Sequence, residues 1–162
     1  MTSIIIFSSN KSIKIITTTL KEKLESDIAE IKDLNKKQGF LKNIRNNINA
    51  LRSQETSIEP EIIDMTSYDL IILGCPSTLG GISPAIKTFI SKNNFKDKNI
   101  IIFTTTNTGQ GYDVLKQIKE KLEDKEAHIV NSFIMRVNNK SEEELKINTI
   151  KLIKQLDIDL YS

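Results

Sequence analysis

The chain has 162 residues, which is long enough for one domain with a full hydrophobic core. Its 23 lysines and arginines nearly balance its 21 aspartates and glutamates, and the two signs are interleaved, which argues against a nucleic-acid-binding surface. The single cysteine and the single histidine exclude an internal disulfide, a cysteine-based metal site and a multi-histidine metal site.

The apolar runs of the chain are all short. None approaches the roughly 20 residues that a membrane-spanning helix needs. The first run, at Ile4–Phe7, begins almost at once and has no basic region before it and no cleavage site after it. We therefore expect a cytoplasmic protein whose partners include neither membranes nor nucleic acids.

The N-terminal part predicts a strand, a helix and a weaker strand. The segment Ser3–Phe7 is apolar and β-branched, as in a buried parallel strand. Ser12 is expected to cap the following helix, and residues 27–32 form the second predicted strand. The apolar face of the helix consists of Ile13, Ile16, Leu20 and Leu24.

A long polar connection follows, from residue 33 to residue 65. Within it, apolar residues recur at helical spacing and predict a helix near residues 39–52, followed by an extended piece that ends around residues 60–64. Connections of this length in compact domains usually have a role, such as covering a site.

The C-terminal part alternates regularly between strands and helices. Strands are predicted at residues 68–75, 99–104 and 128–137. A helix starts at Ser83-Pro84, where serine suits the cap and proline suits the first helical position. Further helices are predicted at residues 112–122 and from Ser141, which opens a capping-box pattern with Glu144.

Five strand–helix alternations predict an α/β fold, a three-layer α/β/α sandwich around a five-stranded parallel sheet. Both common doubly wound strand orders are compatible with the pattern, and five strands favour the order 2-1-3-4-5. No linker or internal repeat interrupts the chain, so residues 1–162 are expected to form a single domain.

Loops of small polar residues follow the first, third and fourth predicted strands. In the favoured order they meet at the switch point of the sheet, where ligands bind. The first loop, residues 8–12, opens a helix and suits a phosphate group. Glycines in the second loop, residues 75–81, allow the backbone to approach a flat ligand. The third, residues 104–111, is rich in threonine. The alternative for each loop is an ordinary turn.

Several familiar sites are missing from this framework. The chain has no P-loop pattern and no nucleophile elbow, and it lacks the acidic residues of a receiver-type phosphoacceptor domain. Cys75 lies in the wrong loop for a cysteine phosphatase and is expected to be a buried strand-end residue. His128 and Tyr68 are expected to have structural rather than chemical roles. No catalytic acid or base and no metal site is predicted.

The segment Y-D-L-I-I-L-G-C-P at residues 68–76, followed by S-P-A-I-K-T-F at residues 83–89, resembles the flavodoxin family pattern Y-D-x-(I/V)-x-x-G-(T/S)-P and S-P-A-(I/L)-(K/R)-x-(F/Y). G-F-L at residues 39–41 and A-L-R at residues 50–52 resemble one prokaryotic flavodoxin subgroup. The first loop differs from the family's usual (S/T)-x-T-G-N-T, because Lys11 stands at the glycine. The chain also has no tryptophan.

This resemblance implies a flavodoxin-like protein that binds FMN and transfers electrons between redox partner proteins or small acceptors. A close variant is an FMN-dependent oxidoreductase. The cofactor-binding residues implied by the three loops are Ser8, Ser9, Asn10, Lys11, Ser12 and Ile13; Pro76, Ser77, Thr78, Leu79, Gly80 and Gly81; and Thr104, Thr105, Thr106, Asn107, Thr108, Gly109, Gly111 and Tyr112. The alternative is a flavodoxin fold that has lost FMN and serves as a binding or regulatory module.

Overall fold

The computed structural model describes residues 1–35, 55–77, 81–109 and 111–156. Five parallel strands form the main sheet in the order β2-β1-β5-β6-β7, which is the predicted 2-1-3-4-5 arrangement. A separate two-stranded antiparallel ladder pairs β3 with β4. The strands are β1 (Ser3–Phe7), β2 (Asp27–Glu30), β3 (Lys32–Asp33), β4 (Ile58–Glu59), β5 (Leu70–Pro76), β6 (Asn99–Thr106) and β7 (His128–Arg136).

In the described ranges, four helices cover the two faces of the main sheet. They are α1 (Lys11–Leu24), α2 (Pro84–Lys92), α3 (Tyr112–Glu123) and α4 (Glu142–Gln155). Apolar residues of α1 and α4 share one core cluster, and those of α2 and α3 share the other. The predicted three-layer α/β/α sandwich is therefore confirmed. No helix in the described parts of the chain is long and apolar enough to cross a membrane.

The alternation of side chains along the central strands supplies both cores. In β1, Ile4 and Ile6 belong to the cluster under α2 and α3, whereas Ile5 and Phe7 belong to the cluster under α1 and α4. Successive strand residues point to opposite faces, so a continuous isoleucine run fills two cores at once. All five residues of β1 are buried, as expected for a sheet covered on both sides.

Capping residues determine where three of the helices begin. Asn10, rather than Ser12, caps α1: its side-chain oxygen accepts a hydrogen bond from the N–H of Ile13 at 2.9 Å. The helix starts earlier than predicted because asparagine is at least as good a cap as serine and Asn10 has the extended backbone that a cap needs. The predicted caps at Ser83 and Ser141 are both confirmed, the latter with its complete capping box.

Four of the five predicted strands differ from the structure by one or two residues at one or both ends, because pairing decides the boundaries. β6 continues through Thr106, since its last residues pair with β5 on one side and β7 on the other. The second predicted strand is shorter, because the chain turns at Ile31 and Lys32–Asp33 pairs with β4. The helix predicted near residues 39–52 lies outside the described residues. The piece around residues 60–64 is irregular and is held by Asn93, which accepts a hydrogen bond from the N–H of Ile63.

Candidate functional site

The three candidate loops leave one edge of the main sheet. Phe7 at the end of β1 is paired with Gly74 in β5, and Pro76 at the end of β5 is paired with Thr105 in β6. Parallel strands end at the same edge, so the segments that follow β1, β5 and β6 are neighbours. This edge is called the loop rim below. The polypeptide reverses its direction of winding between β1 and β5, which is where open α/β sheets bind ligands.

Direct bonds join the first loop to the segment after β5. The hydroxyl groups of Ser8 and Ser83 lie 2.8 Å apart in a hydrogen bond that is buried. The N–H of Ser8 donates to the carbonyl oxygen of Gly74 at 3.3 Å. Ser83 also caps α2, accepting from the N–H of Ile86. The start of α2 is therefore part of the loop rim, a contact that the sequence did not indicate.

Three more polar side chains of the first loop, those of Ser9, Asn10 and Lys11, also have partners within the protein. Ser9 donates its hydroxyl hydrogen to Glu30 at 2.5 Å. The side chain of Asn10 caps α1, and the Lys11 ammonium lies 3.4 Å from the Glu142 carboxylate. By contrast, the backbone N–H groups of Lys11 and Ser12 have no acceptor within the described ranges.

Glu30 lies at the loop rim, and sequence reasoning did not place it there. It ends β2 and is paired with Phe7, so its carboxylate lies beside the first loop. The hydrogen bond from Ser9 lowers the pKa of Glu30, and Lys14, whose Nζ is 3.4 Å from the carboxylate, lowers it further. The signal that would have revealed Glu30 is the topology, because β2 is the parallel neighbour of β1 and their last residues lie side by side.

The second loop is described only at its two ends. Pro76 is buried in β5, and the N–H of Ser77 donates to the carbonyl oxygen of Thr105 at 3.2 Å. This bond holds the start of the second loop against β6. Thr78, Leu79 and Gly80 lie outside the described residues, and Gly81 is half-buried just before α2.

Cys75 is the buried strand-end residue that the sequence predicted. Its side chain is fully buried, and burial raises the pKa of the thiol to about 12 even though the N–H of Ser83 donates to the sulfur. A thiol with so high a pKa stays protonated at neutral pH and is a poor nucleophile. Cys75 therefore contributes packing and no charge to the loop rim.

The third loop is shorter than predicted, because Thr104, Thr105 and Thr106 belong to β6 and are buried. Thr104 donates its hydroxyl hydrogen to the carbonyl oxygen of Cys75 at 2.7 Å. The hydroxyl oxygen of Thr106 accepts from the N–H groups of Thr108 and Gly109. Two of the threonine hydroxyls thus shape the loop rather than face solvent, and Asn107, Thr108 and Gly109 form its exposed part.

Two glycines let the third loop lie close to the sheet. Gly109 has a φ of +90°, a conformation that other residues rarely adopt. A Cβ on Gly111 would lie 2.8 Å from Thr104 Cγ2 and 2.9 Å from Ile134 Cγ2. Tyr112 follows, and 71% of the surface of this residue is exposed. It is an aromatic ring at the loop rim that is free to stack on a ligand.

The chemistry of the loop rim is that of a binding site. It presents hydroxyl groups, amide groups, backbone N–H groups and one exposed aromatic ring. Among the described residues, no group of three or more His, Cys, Asp or Glu side chains could hold a metal ion. Hydroxyl and N–H donors beside an aromatic ring suit a planar polar ligand with a phosphate group.

Comparisons with known proteins agree with this description. A sequence model of the family described as Flavodoxin matches residues 3–150. No curated protein sequence gives a significant match. A crystal structure of a putative flavoprotein from Bacteroides uniformis is 17% identical, with a TM-score of 0.70 over 94% of this chain and 97% of that one.

Two further solved structures share the fold. The flavoprotein from Lactobacillus acidophilus in complex with FMN is 18% identical, with a TM-score of 0.62 over 83% of this chain and 92% of that one. The two-electron reduced flavodoxin from Megasphaera elsdenii is 16% identical, with a TM-score of 0.55 over 92% of this chain and 98% of that one. With the family match spanning nearly all of the sequence, the chain belongs to the flavodoxin family.

Proposed function

We propose that this protein binds FMN at the loop rim and transfers electrons between redox partners. The observation that carries the proposal is the meeting of three separate loops at the switch point of the sheet, held together by the Ser8–Ser83 and Ser77–Thr105 hydrogen bonds. Membership in the flavodoxin family and the FMN complexes among similar structures support it.

The N-terminus of α1 fits the phosphate group of FMN. The N–H groups of Lys11 and Ser12 are unpaired within the described ranges and point out of the first helical turn. The helix dipole favours an anion there. The hydroxyl of Ser12 lies on the same turn. These three groups of this chain would hold the phosphate.

The flavin ring would lie between the second and third loops. Ser77 and Asn107 to Gly109 offer backbone groups, and Tyr112 offers an aromatic face. Both loops are anchored to β6: the second loop through Ser77 and the third loop through Thr106. A rigid frame of this kind positions a ligand without a large entropy loss on binding.

FMN supplies the redox chemistry when it is bound, and the protein's residues bind it, orient it and limit its contact with water. In the described part of the loop rim, Cys75 stays protonated, and the Glu30 carboxylate is held by the Ser9 hydrogen bond and the Lys14 ion pair. This composition favours an electron carrier over an enzyme that transforms an organic substrate. The oxidoreductase variant would be shown by rapid reduction of the FMN-loaded protein by a nicotinamide nucleotide alone.

The direct test of cofactor binding is a titration of FMN with the purified protein. FMN fluorescence should be quenched in a saturable way, and the visible absorption bands should shift. A protein that leaves both the fluorescence and the absorption of FMN unchanged would contradict the proposal.

A second candidate function is a flavodoxin fold without flavin that acts as a binding or regulatory module. The observation that favours it is the internal pairing of the polar side chains in the first loop. The two candidates differ in thermal unfolding. FMN at about 100 times its dissociation constant adds about 2.7 kcal/mol to the free energy of unfolding, whereas a module without flavin unfolds at the same temperature with and without FMN.

A further inference from the structure

Most polar side chains of the first loop are already paired within the protein and are not free to bind an anion. The side chains of four consecutive residues, Ser8 to Lys11, each form a hydrogen bond or an ion pair with another group of the chain. The cap formed by Asn10 also takes the N–H of Ile13, which leaves one fewer backbone donor at the start of α1. A phosphate at this place therefore meets backbone N–H groups, those of Ser9 to Ser12 within the described ranges, rather than the side chains of Ser8 to Lys11.

Glu30 adds a negative charge at the same place. Its carboxylate accepts the Ser9 hydrogen bond two residues before α1 begins, and 27% of its side-chain surface remains exposed. Lys14 on α1 pairs with the other carboxylate oxygen at 3.4 Å, and Lys32 on β3 contributes a weaker attraction. Glu30 and Lys14 therefore largely neutralise each other, as do Lys11 at the start of α1 and Glu142, whose charged groups lie 3.4 Å apart.

We propose that Glu30 sets the selectivity of this protein between phosphorylated and unphosphorylated flavin, so that FMN and riboflavin bind with similar affinity. This inference rests on the proposed flavin site. Glu30 acts in two ways. It accepts the hydrogen bond of the Ser9 hydroxyl, which would otherwise be available to a phosphate oxygen. Its negative charge also repels the phosphate oxygens. The ring and the ribityl chain, which both flavins share, then supply most of the binding.

A purely structural role for the Ser9–Glu30 bond makes a different prediction. If the bond only fastens the first loop to the edge strand β2, its loss loosens the loop and changes the affinity for both flavins alike. The ratio of the two dissociation constants therefore separates a selectivity role from a structural one.

The experiment measures the dissociation constants of FMN and riboflavin by fluorescence quenching for the wild type and for Glu30→Gln. Glutamine keeps the shape of the side chain and an oxygen that can accept from Ser9, and it removes the charge. The wild type is expected to prefer FMN by less than about tenfold. The variant is expected to tighten FMN by about three- to tenfold, the size of a partly screened charge interaction, and to leave riboflavin unchanged.

Glu123→Gln is the matched control. Glu123 also pairs with a lysine, Lys119 at 3.7 Å, and it lies in the last turn of α3 at the opposite end of the sheet. The same charge change there should leave both dissociation constants unchanged. Repeating the comparison in about 0.5 M salt should shrink the difference between Glu30→Gln and the wild type, because salt screens exposed charges.

Three results would overturn the inference. One is a wild type that prefers FMN by 100-fold or more, because that ratio corresponds to a contribution of about 2.7 kcal/mol from the phosphate group. Another is a Glu30→Gln variant in which the ratio of the two constants is unchanged. The last is a wild type that binds neither flavin, which refutes the proposed function itself and is thereby distinguished from the other two.

Discussion

Gly74 is the point in β5 at which a side chain has no space. A Cβ there would lie 2.5 Å from Cζ of Phe103, whose ring stacks on Phe133 with the ring centroids 4.9 Å apart. The glycine therefore allows two aromatic rings to close the core below the loop rim.

Gly74→Ala is expected to lower the free energy of unfolding by about 1–3 kcal/mol, because the added methyl group forces Phe103 out of its stack. Urea denaturation measures the loss. The double variant Gly74→Ala/Phe103→Leu should lose less than the sum of the two single variants, since the smaller side chain makes room. Strict additivity would show that the clash is not with Phe103.

Glu30 makes a pH-dependent contribution to stability. The Ser9 hydrogen bond and then Lys14 lower the pKa of this carboxyl in the folded chain. The stabilisation is therefore fully present above the ordinary glutamate pKa, where the carboxyl is ionised in both states, and is lost as the pH falls through the folded pKa.

The difference in free energy of unfolding between the wild type and Glu30→Gln is accordingly expected to be largest near pH 7 and to shrink below about pH 4. Urea denaturation across that range measures it. A difference that stays constant with pH would mean that the charge of Glu30 does not contribute.

Helix caps are the element-scale feature that links stability to the loop rim. Ser83 and Ser141 cap α2 and α4 in the same way, each accepting a hydrogen bond from a backbone N–H in the first turn. They differ in their surroundings: Ser83 is buried and its hydroxyl is also bonded to Ser8, whereas Ser141 is exposed and, among the described residues, its hydroxyl bonds only within its own capping box.

Ser141→Ala is expected to cost about 1 kcal/mol of stability because it removes one cap. Ser83→Ala is expected to cost more, because it also leaves the buried Ser8 hydroxyl without its partner. Only Ser83→Ala should also weaken FMN binding, since it releases the first loop from α2. Thermal unfolding and FMN quenching on both variants check this. Equal affinities in the two variants would show that the Ser8–Ser83 bond is irrelevant to the site.

The sequence predicts the existence and order of most elements. Isoleucine-rich runs such as Ile4–Phe7 can only be buried strands in a chain of this pattern, and Ser83-Pro84 is a strong local helix start. The ends of elements are less predictable. Asn10 and Ser12 are both good caps, and the pairing of β6 with two neighbours carries it to Thr106.

The sequence predicts which loops form the candidate site. It does not predict which residues those loops contact. Local composition marks Ser8 to Ser12 as a phosphate loop, but the partners of those residues come from distant parts of the chain. Glu30 is 21 residues away from Ser9 and Ser83 is 75 residues away from Ser8. Such pairs follow from parallel register and tertiary packing, and hydrophobic periodicity carries no information about either.

At the scale of the whole molecule, the strand order brings the three loops together. The chain winds from β1 outward to β2, returns through β5 and continues to β6 and β7, so the crossovers lie on opposite faces on either side of the switch. The flavin site that we propose at the loop rim depends on this winding and on the residues that end β1, β5 and β6.

The most direct test of that account is amide NMR during an FMN titration. Resonances of Ser8 to Ser12, Ser77 and Asn107 to Gly109 are expected to shift together with one dissociation constant. Those of Asn99 and His128, at the opposite edge of the sheet, are expected to stay in place. Shifts confined to one loop, or centred away from the loop rim, would contradict a single site built from all three loops.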